Sequence, residues 1–187
     1  MAVTGLRAPV WQHEPVRPTR LVMIDDVPAL TELQRANREF LAPWEPTRSE
    51  EYFTLDGQLS AIEDILNRCV QGTVLPHVIL DASGQVVGRI TLNGIVRGPF
   101  QSCSMGYWLA EAATGRGLAT AAVGHMVEVA FTELGLHRVQ AETLLHNLPS
   151  QRVLERNGFV RIGMAPKYLR IAGEWQDHIL FQLLNSG

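Results

Sequence analysis

The sequence predicts an α/β (α+β) fold, a mixed and mostly antiparallel sheet of six to seven strands laid in one layer and flanked by helices. Two observations carry this. Runs rich in β-branched residues and stripes of helical period follow one another in the order β-α-α-β-β-β-α-β-α-β-β. Midway, three consecutive strand-like runs joined by turn residues form an antiparallel meander, and a glycine-bearing turn then opens a long helix.

Residues 1–19 are proline-bearing with little periodicity and read as an N-terminal arm on a single domain spanning 1–187. Arg20–Ile24 is a short apolar run, hence a strand. Asp25 or Asp26 offers an N-cap, with Pro28 in the first turn, for a helix reaching about Asn37. The stretch Phe40-Leu41-Ala42-Pro43-Trp44-Glu45-Pro46 cannot be helical around its two prolines and reads as an ordered loop. A second helix fits Leu55–Val70, with Leu59, Ile62, Ile65, Leu66 and Cys69 on one stripe and Gly72 ending it. The meander is His77–Leu80, Val86–Leu92 and Cys103–Ala110, its first turn being Asp81-Ala82-Ser83-Gly84-Gln85. A long helix then runs to about Leu134 on the stripe Ala119, Val123, Met126, Val127, Ala130, Phe131 and Leu134. Arg138–Leu145 is the next strand. Asn147 caps a short helix that holds Pro149 and ends at Asn157-Gly158, and Phe159–Met164 and Trp175–Leu184 are the last two strands.

Composition narrows the function. With 46% apolar and 19% charged residues the chain of 187 buries a sizeable core, which excludes disorder. A net charge of −3 gives no electrostatic reason to expect nucleic acid or an anionic membrane as partner, and suits a cationic acceptor such as an amine. Cys69 and Cys103 lack C-x-x-C spacing and read as reduced thiols of a cytoplasmic protein, monomer or homodimer. Neither a signal peptide nor an apolar run of about 18 residues occurs, so no membrane span is expected. The histidines are scattered without H-E-x-x-H or finger spacing, so no metal is expected.

The most informative stretch is Tyr107-Trp108-Leu109-Ala110 followed by Thr114-Gly115-Arg116-Gly117-Leu118-Ala119-Thr120. A strand runs into a glycine turn that opens a helix, where backbone N–H groups converge on a helix N-terminus carrying about +0.5 charge. Such a turn takes a pyrophosphate without a metal. Three readings compete: a tight turn alone, a dinucleotide fingerprint, and an acyl-CoA turn. The fingerprint G-x-G-x-x-[GA] fails at Thr120, although Glu142 stands about where a ribose-binding acid belongs. G-x-x-x-x-G-K-[ST] is absent, which speaks against nucleoside triphosphate hydrolysis.

Gly117-Leu118-Ala119 matches the end of the pattern [QR]-x-x-G-x-[GA], with Thr114 in place of its first residue. Further pieces follow in order: Phe40-Leu41-x-Pro43-Trp44-Glu45-Pro46-x-Arg48; Val96-Arg97-Gly98-x-Phe100 leading into Gly106-Tyr107; Asn147-x-x-Ser150; Leu154-x-x-x-Gly158-Phe159; and Tyr168-Leu169-x-Ile171-x-Gly173-x-Trp175-x-Asp177-His178. As an ordered set over nearly the whole chain they resemble the GNAT superfamily of N-acetyltransferases, in particular the RimJ branch of its RimJ/RimL group. The resemblance implies a GNAT fold and acetyl-CoA as cosubstrate. It also implies direct transfer through a ternary complex to an N-terminal α-amine, that of alanine in ribosomal protein S5. An acceptor of another class, a polyamine or an antibiotic amine, keeps the same scaffold, and so does a catalytically idle acyl-CoA-binding module.

The resemblance also assigns residues. Trp108, Leu109 and Ala110 offer backbone groups to pantetheine where their strand splays from Arg138–Leu145, one N–H facing the thioester oxygen. Gly115, Arg116, Gly117, Leu118, Ala119 and Thr120 hold the phosphates. Asn147 binds the pantetheine arm and Ser150 lies by the sulfur, whereas spacing alone equally fits an N-cap and a first-turn serine. An α-amine has a pKa of about 7.7–8.0, so a water-relayed carboxylate suffices as base. Glu45, braced between Pro43 and Pro46, is the first candidate and Glu142 the second. Asp177 either orients the C-terminal hairpin or touches substrate. Some relatives place a glutamate near Leu169, a slot that is apolar here. Trp44, Phe100, Tyr107 and Trp175 are expected to wall the acceptor groove.

Overall fold

The computed structural model describes residues 17–186, so the N-terminal arm as far as residue 16 lies outside the described residues. Strand β1 (Thr19–Leu21) leads through a 3-10 turn into helices α1 (Val27–Ala36) and α2 (Arg38–Leu41). Helix α3 (Leu55–Val70) is followed by the meander β2 (Leu75–Leu80), β3 (Val86–Val96) and β4 (Ser102–Leu109). Helix α4 (Leu118–Glu128) continues into one π-helical turn, Val129–Glu133, before β5 (Arg138–Leu144). Helix α5 (Leu148–Arg156) and the hairpin β6 (Val160–Ile171)–β7 (Glu174–Leu184) complete the chain. The strands form one seven-stranded sheet in the order β1-β2-β3-β4-β5-β7-β6. Only β4 and β5 pair in parallel, because α4 must cross over between them.

Side chains alternate across each strand, so the two faces build two cores. On one face Ile90, Leu92, Cys103, Met105, Val139 and Ala141 pack under α4 and α5 with Val123, Met126 and Leu154. On the other, Val78, Leu80 and Val74 pack under α1 and α3 with Val27, Leu30 and Ile62. Among the described residues no helix is long and apolar enough to cross a membrane.

Several boundaries differ from the sequence expectation for physical reasons. The first strand is Thr19–Leu21 rather than Arg20–Ile24, because Asp26 accepts from Met23 N at 2.8 Å and binds Arg20, which turns the chain there. Phe40 and Leu41 are helical; the loop begins at Ala42, where Pro43 prevents continuation. Strand β6 runs on to Ile171 instead of ending at Met164. Pro166 is tolerated because β6 is the sheet edge and the register shifts there, with Lys167 at φ 48° and its N–H donating to Asp177 Oδ1 at 2.8 Å. Asp177 therefore orients the hairpin.

Two of the scattered histidines meet. Thr19 Oγ1, 1% exposed, lies 2.9 Å from His77 Nδ1 on β2 and 2.7 Å from His125 Nδ1 on α4, pinning β1 to both. Burial, reinforced by the neighbouring His125 charge, pushes the His77 pKa from 6.5 down to about 4. Between those values the unfolded chain binds a proton that the fold refuses, so this stability is present above pH 6.5 and lost as pH falls toward 4. Equilibrium urea unfolding is expected to show His77→Gln removing at most about 3 kcal/mol of the wild-type decline across that window.

Candidate active site

The sheet opens at its one parallel pair. Strands β4 and β5 are in register at Ser102↔Arg138, Cys103↔Val139 and Ser104↔Gln140 and pair no further, so β4 splays from β5 over Met105–Leu109. Ala110 N donates to Val87 O at 2.9 Å, so by alternation the amides of Trp108 and Ala110 serve β3, while those of Tyr107 and Leu109 point into the gap. Of the expected Trp108-Leu109-Ala110 set, Leu109 thus offers the free N–H.

Two helices begin at this open end. Gly115 and Gly117 adopt φ 72° and 78°, Gly117 is the left-handed N-cap of α4, and the first paired amide is that of Ala121, onto Gly117 O at 3.0 Å. The exposed turn Gly115-Arg116-Gly117 and the first-turn amides of Leu118, Ala119 and Thr120 thus form an anion-ready end. Helix α5 packs against α4, its C-cap Asn157 donating from Nδ2 to Thr120 O at 3.2 Å, and its own first turn is capped by Asn147 Oδ1 accepting from Ser150 N at 3.2 Å. The Ser150 hydroxyl is left for another task. It lies 2.8 Å from Tyr107 Oη, a contact across 43 positions of chain that the spacing could not show. Burial pushes the Tyr107 phenol up to about 12, so it stays protonated and has a hydrogen to share with Ser150 Oγ or with Ser150 O at 3.3 Å.

A roof crosses the opposite face. Asn37 Oδ1 accepts from Glu111 N at 2.8 Å, which docks the α1–α2 junction just beyond the end of β4. From there the loop passes Trp44, whose ring packs 5.4 Å from that of His146 at the β5–α5 junction. Ala172 N in the β6–β7 turn donates to Glu45 O at 2.9 Å and ties the loop to the hairpin. A cavity of about 270 Å³ lies between this loop and helices α1 and α2, lined by Gln34, Arg38, Glu45, Arg48, Phe53 and Ala172 among others. Burial raises the Glu45 carboxyl above its ordinary pKa, against the pull of Arg48, 3.9 Å away, and of Arg89 on β3. Glu142 lies on this same face of the sheet and accepts from Ser104 Oγ at 3.1 Å; burial raises it too, against the Ser104 hydrogen bond and the His178 charge.

The four expected aromatic walls do not converge. Tyr107 points under α5, across the sheet from Glu142. Phe100 is half exposed in the β3–β4 turn, beyond the far end of β4, whose first residue Ser102 is itself about 23 Å from Leu109 by strand rise. Trp175, 62% exposed, lines a second groove of about 450 Å³ with His146, Glu174 and Asp177. Trp44 meets His146 between the two cavities. Sequence reasoning missed Gln34, because one polar residue inside a helix read as reaching about Asn37 carries no local sign that it lines a cavity. Among the described residues no cluster of three or more His, Cys, Asp or Glu could hold a metal ion.

A parallel pair splayed at its C-terminal end, with a helix beginning after each of its strands, is the arrangement that the resemblance to acetyltransferases implies. The chain belongs to the acetyltransferase (GNAT) domain family, whose model matches residues 19–160. It is 38% identical over 154 residues to the probable N-acetyltransferase YjcK of Bacillus subtilis (strain 168), covering 82% of this chain and 85% of that protein. The ribosomal protein uS5-alanine N-acetyltransferase of Escherichia coli (strain K12) is 32% identical over 165 residues, 88% of this chain and 85% of that protein. Mycobacterium smegmatis RimJ, solved in complex with CoA-disulfide, superimposes with a TM-score of 0.85 at 32% identity, covering 89% of this chain and 80% of that one. The protein is an N-acetyltransferase of the GNAT/RimJ type.

Proposed function

We propose that the protein transfers the acetyl group of acetyl-CoA to the N-terminal α-amine of a protein, an alanine amine of a ribosomal protein such as S5. The observation that carries this is the splay of β4 from β5 beyond Ser104 and Gln140, which leaves an extended backbone edge between two helix N-termini. The E. coli and M. smegmatis relatives support the acceptor and the cosubstrate respectively.

Acetyl-CoA supplies the activated thioester; the chain supplies placement and protons. Leu109 N–H donates toward the carbonyl oxygen, where one such preorganised donor contributes about 3 kcal/mol of transition-state stabilisation. The Gly115–Thr120 amides receive the diphosphate. Tyr107 Oη–H donates to Ser150 Oγ, freeing the Ser150 hydroxyl hydrogen for the departing sulfur. On the roofed face Glu45, or in its place Glu142 on β5, accepts the amine proton. An α-amine needs little help: about a tenth is already neutral at pH 7, so deprotonation costs about 1 kcal/mol.

Incubation with acetyl-CoA and a short peptide beginning with alanine is expected to release free thiol and acetylated peptide. Faster turnover of spermidine or an aminoglycoside would move the acceptor to small amines. No transfer to any amine, with acetyl-CoA bound, would leave a binding module.

The turn is tested separately by Gly117→Val. A Cβ at 117 meets nothing within 4 Å, so the side chain stands in open space before the helix N-terminus while φ 78° strains any L residue. The KM for acetyl-CoA is expected to rise about tenfold or more in steady-state assays, an equivalent of 1.4 kcal/mol.

A further inference from the structure

Strand β4 lies inside the sheet, between β3 and β5, yet its residue Gly106 is exposed. Two causes combine. The β4–β5 ladder ends at Ser104↔Gln140, so beyond it β5 no longer crowds the strand, and glycine puts no side chain over the opening. Nothing in the fold asks for glycine there. Its φ is not positive, and an added Cβ would have only Asn93 Nδ2 within 4 Å, at 3.8 Å, an ordinary contact. By alternation that Cβ would stand on the roofed face, with the side chains of Ser104 and Trp108.

One carboxylate overlooks this opening. Glu142 stands two residues past Gln140 on β5, as Gly106 stands two past Ser104 on β4. Ser104 Oγ donates to Glu142 Oε2 at 3.1 Å, so the carboxylate leans across from β5 toward β4. The other groups that face it are His178 on β7 and Tyr168 on β6. Burial and the Glu142 charge push the Tyr168 phenol up, so it stays neutral, and its ring packs 5.8 Å from that of His178. His178 Nδ1 meets Gln176 O at 3.0 Å; a carbonyl only accepts, so that nitrogen carries a hydrogen. Among the described residues no arginine or lysine pairs with Glu142. Glu45, in contrast, has Arg48 at 3.9 Å and lines a cavity to which no residue of Met105–Ala110 contributes.

We propose that the acceptor amine is seated over Gly106, where Glu142 takes its proton. This deepens the N-terminal acetyltransferase reading and rests on it. With the diphosphate at the Gly115–Thr120 turn, the acetyl end of the cosubstrate points down the gap, past the Leu109 and Tyr107 amides, toward Gly106. The α-ammonium gives one proton to the Glu142 carboxylate, which later passes it to water. The freed nitrogen pair forms the N–C bond, and the C–S bond breaks. The sulfur leaves with the Ser150 hydrogen, and a second hydrogen shed by the nitrogen returns to Ser150 Oγ.

Two variants test this on an alanine-starting peptide. Gly106→Ala is expected to raise the peptide KM about tenfold and to leave the KM for acetyl-CoA within about twofold. Its melting temperature should hold or rise, since the methyl restricts the unfolded chain. Glu142→Gln keeps the shape of the side chain and an oxygen for Ser104. Its kcat/KM relative to wild type is expected to fall about 100-fold at about pH 6.5. At about pH 9 the fall should be about tenfold or less, because an α-amine of pKa about 7.7–8.0 is then already neutral. His178 and Tyr168 are common to both enzymes, so the ratio at each pH isolates Glu142. An unchanged peptide KM in Gly106→Ala, or a rise shared by acetyl-CoA, overturns the seat. So does a Gly106→Ala that fails to fold, since glycine would then serve the strand. A Glu142→Gln loss that is absent, or equal at both pH values, overturns the proton transfer. Wild type that acetylates no amine at all defeats the parent reading instead.

Discussion

Ser150→Ala is expected to lower kcat about 100-fold with the KM for acetyl-CoA and for acceptor little changed. The structure separates the two duties that a serine in a first helical turn could have. Capping belongs to Asn147, whose Oδ1 holds Ser150 N at 3.2 Å, and that backbone contact survives the substitution. The hydroxyl contacts Tyr107 Oη at 2.8 Å, and Tyr107 keeps a second acceptor in Ser150 O at 3.3 Å. Unfolding free energy should therefore move by no more than about 1 kcal/mol. Tyr107→Phe is expected to reproduce part of the kcat loss, because an undirected Ser150 hydroxyl spends its hydrogen elsewhere. A large fall in melting temperature with parallel changes in kcat and KM would return Ser150 to a structural role.

Gly88→Ala is expected to be the most damaging single methyl in the sheet. A Cβ at 88 would lie 2.2 Å from Trp108 O, 2.9 Å from Leu109 Cδ2 and 3.0 Å from Leu109 Cα. Backbone stands in the way, so no rotamer change relieves it, and strand β3 must part from β4. Denaturant titration should register a loss of about 3 kcal/mol or more. Because the displaced residues carry the Leu109 amide at the gap, the folded fraction should also bind acetyl-CoA more weakly. Gly94→Ala is the control, since its Cβ would meet nothing within 4 Å and only φ 56° opposes it. Similar losses in both variants would mean that glycine conformation, not the Trp108 contact, decides.

Parts of this architecture were legible in the sequence because local chemistry determines them. Helix α3 begins and ends at the residues its stripe implied, with Thr54 Oγ1 accepting from Gly57 N and Gly72 in the left-handed region. The glycine turn before α4 was legible because positive φ at 115 and 117 is nearly exclusive to glycine. The splay of β4 followed from the resemblance and stands in the register. What stayed hidden depends on distant contacts. Tyr107 looked like a groove aromatic, because nothing local reveals which strand face meets α5. Phe100 sits in a motif that leads into β4, yet strand length carries it far from the gap. Strand β6 outran its expected end because an edge strand tolerates Pro166, a judgement that requires knowing which strand is the edge.

The junction of Thr19 with His77 and His125 has a consequence for hydrogen placement. A hydroxyl owns one hydrogen and two lone pairs, and three partners face this one: the two ring nitrogens and Met126 Sδ at 3.6 Å. If the hydrogen goes to the sulfur, both rings deliver an Nδ1–H to the oxygen; if it goes to one ring, that ring is bare at Nδ1 and the other delivers its own. Either way the hydrogen is spent, and the first strand is fastened through that one oxygen.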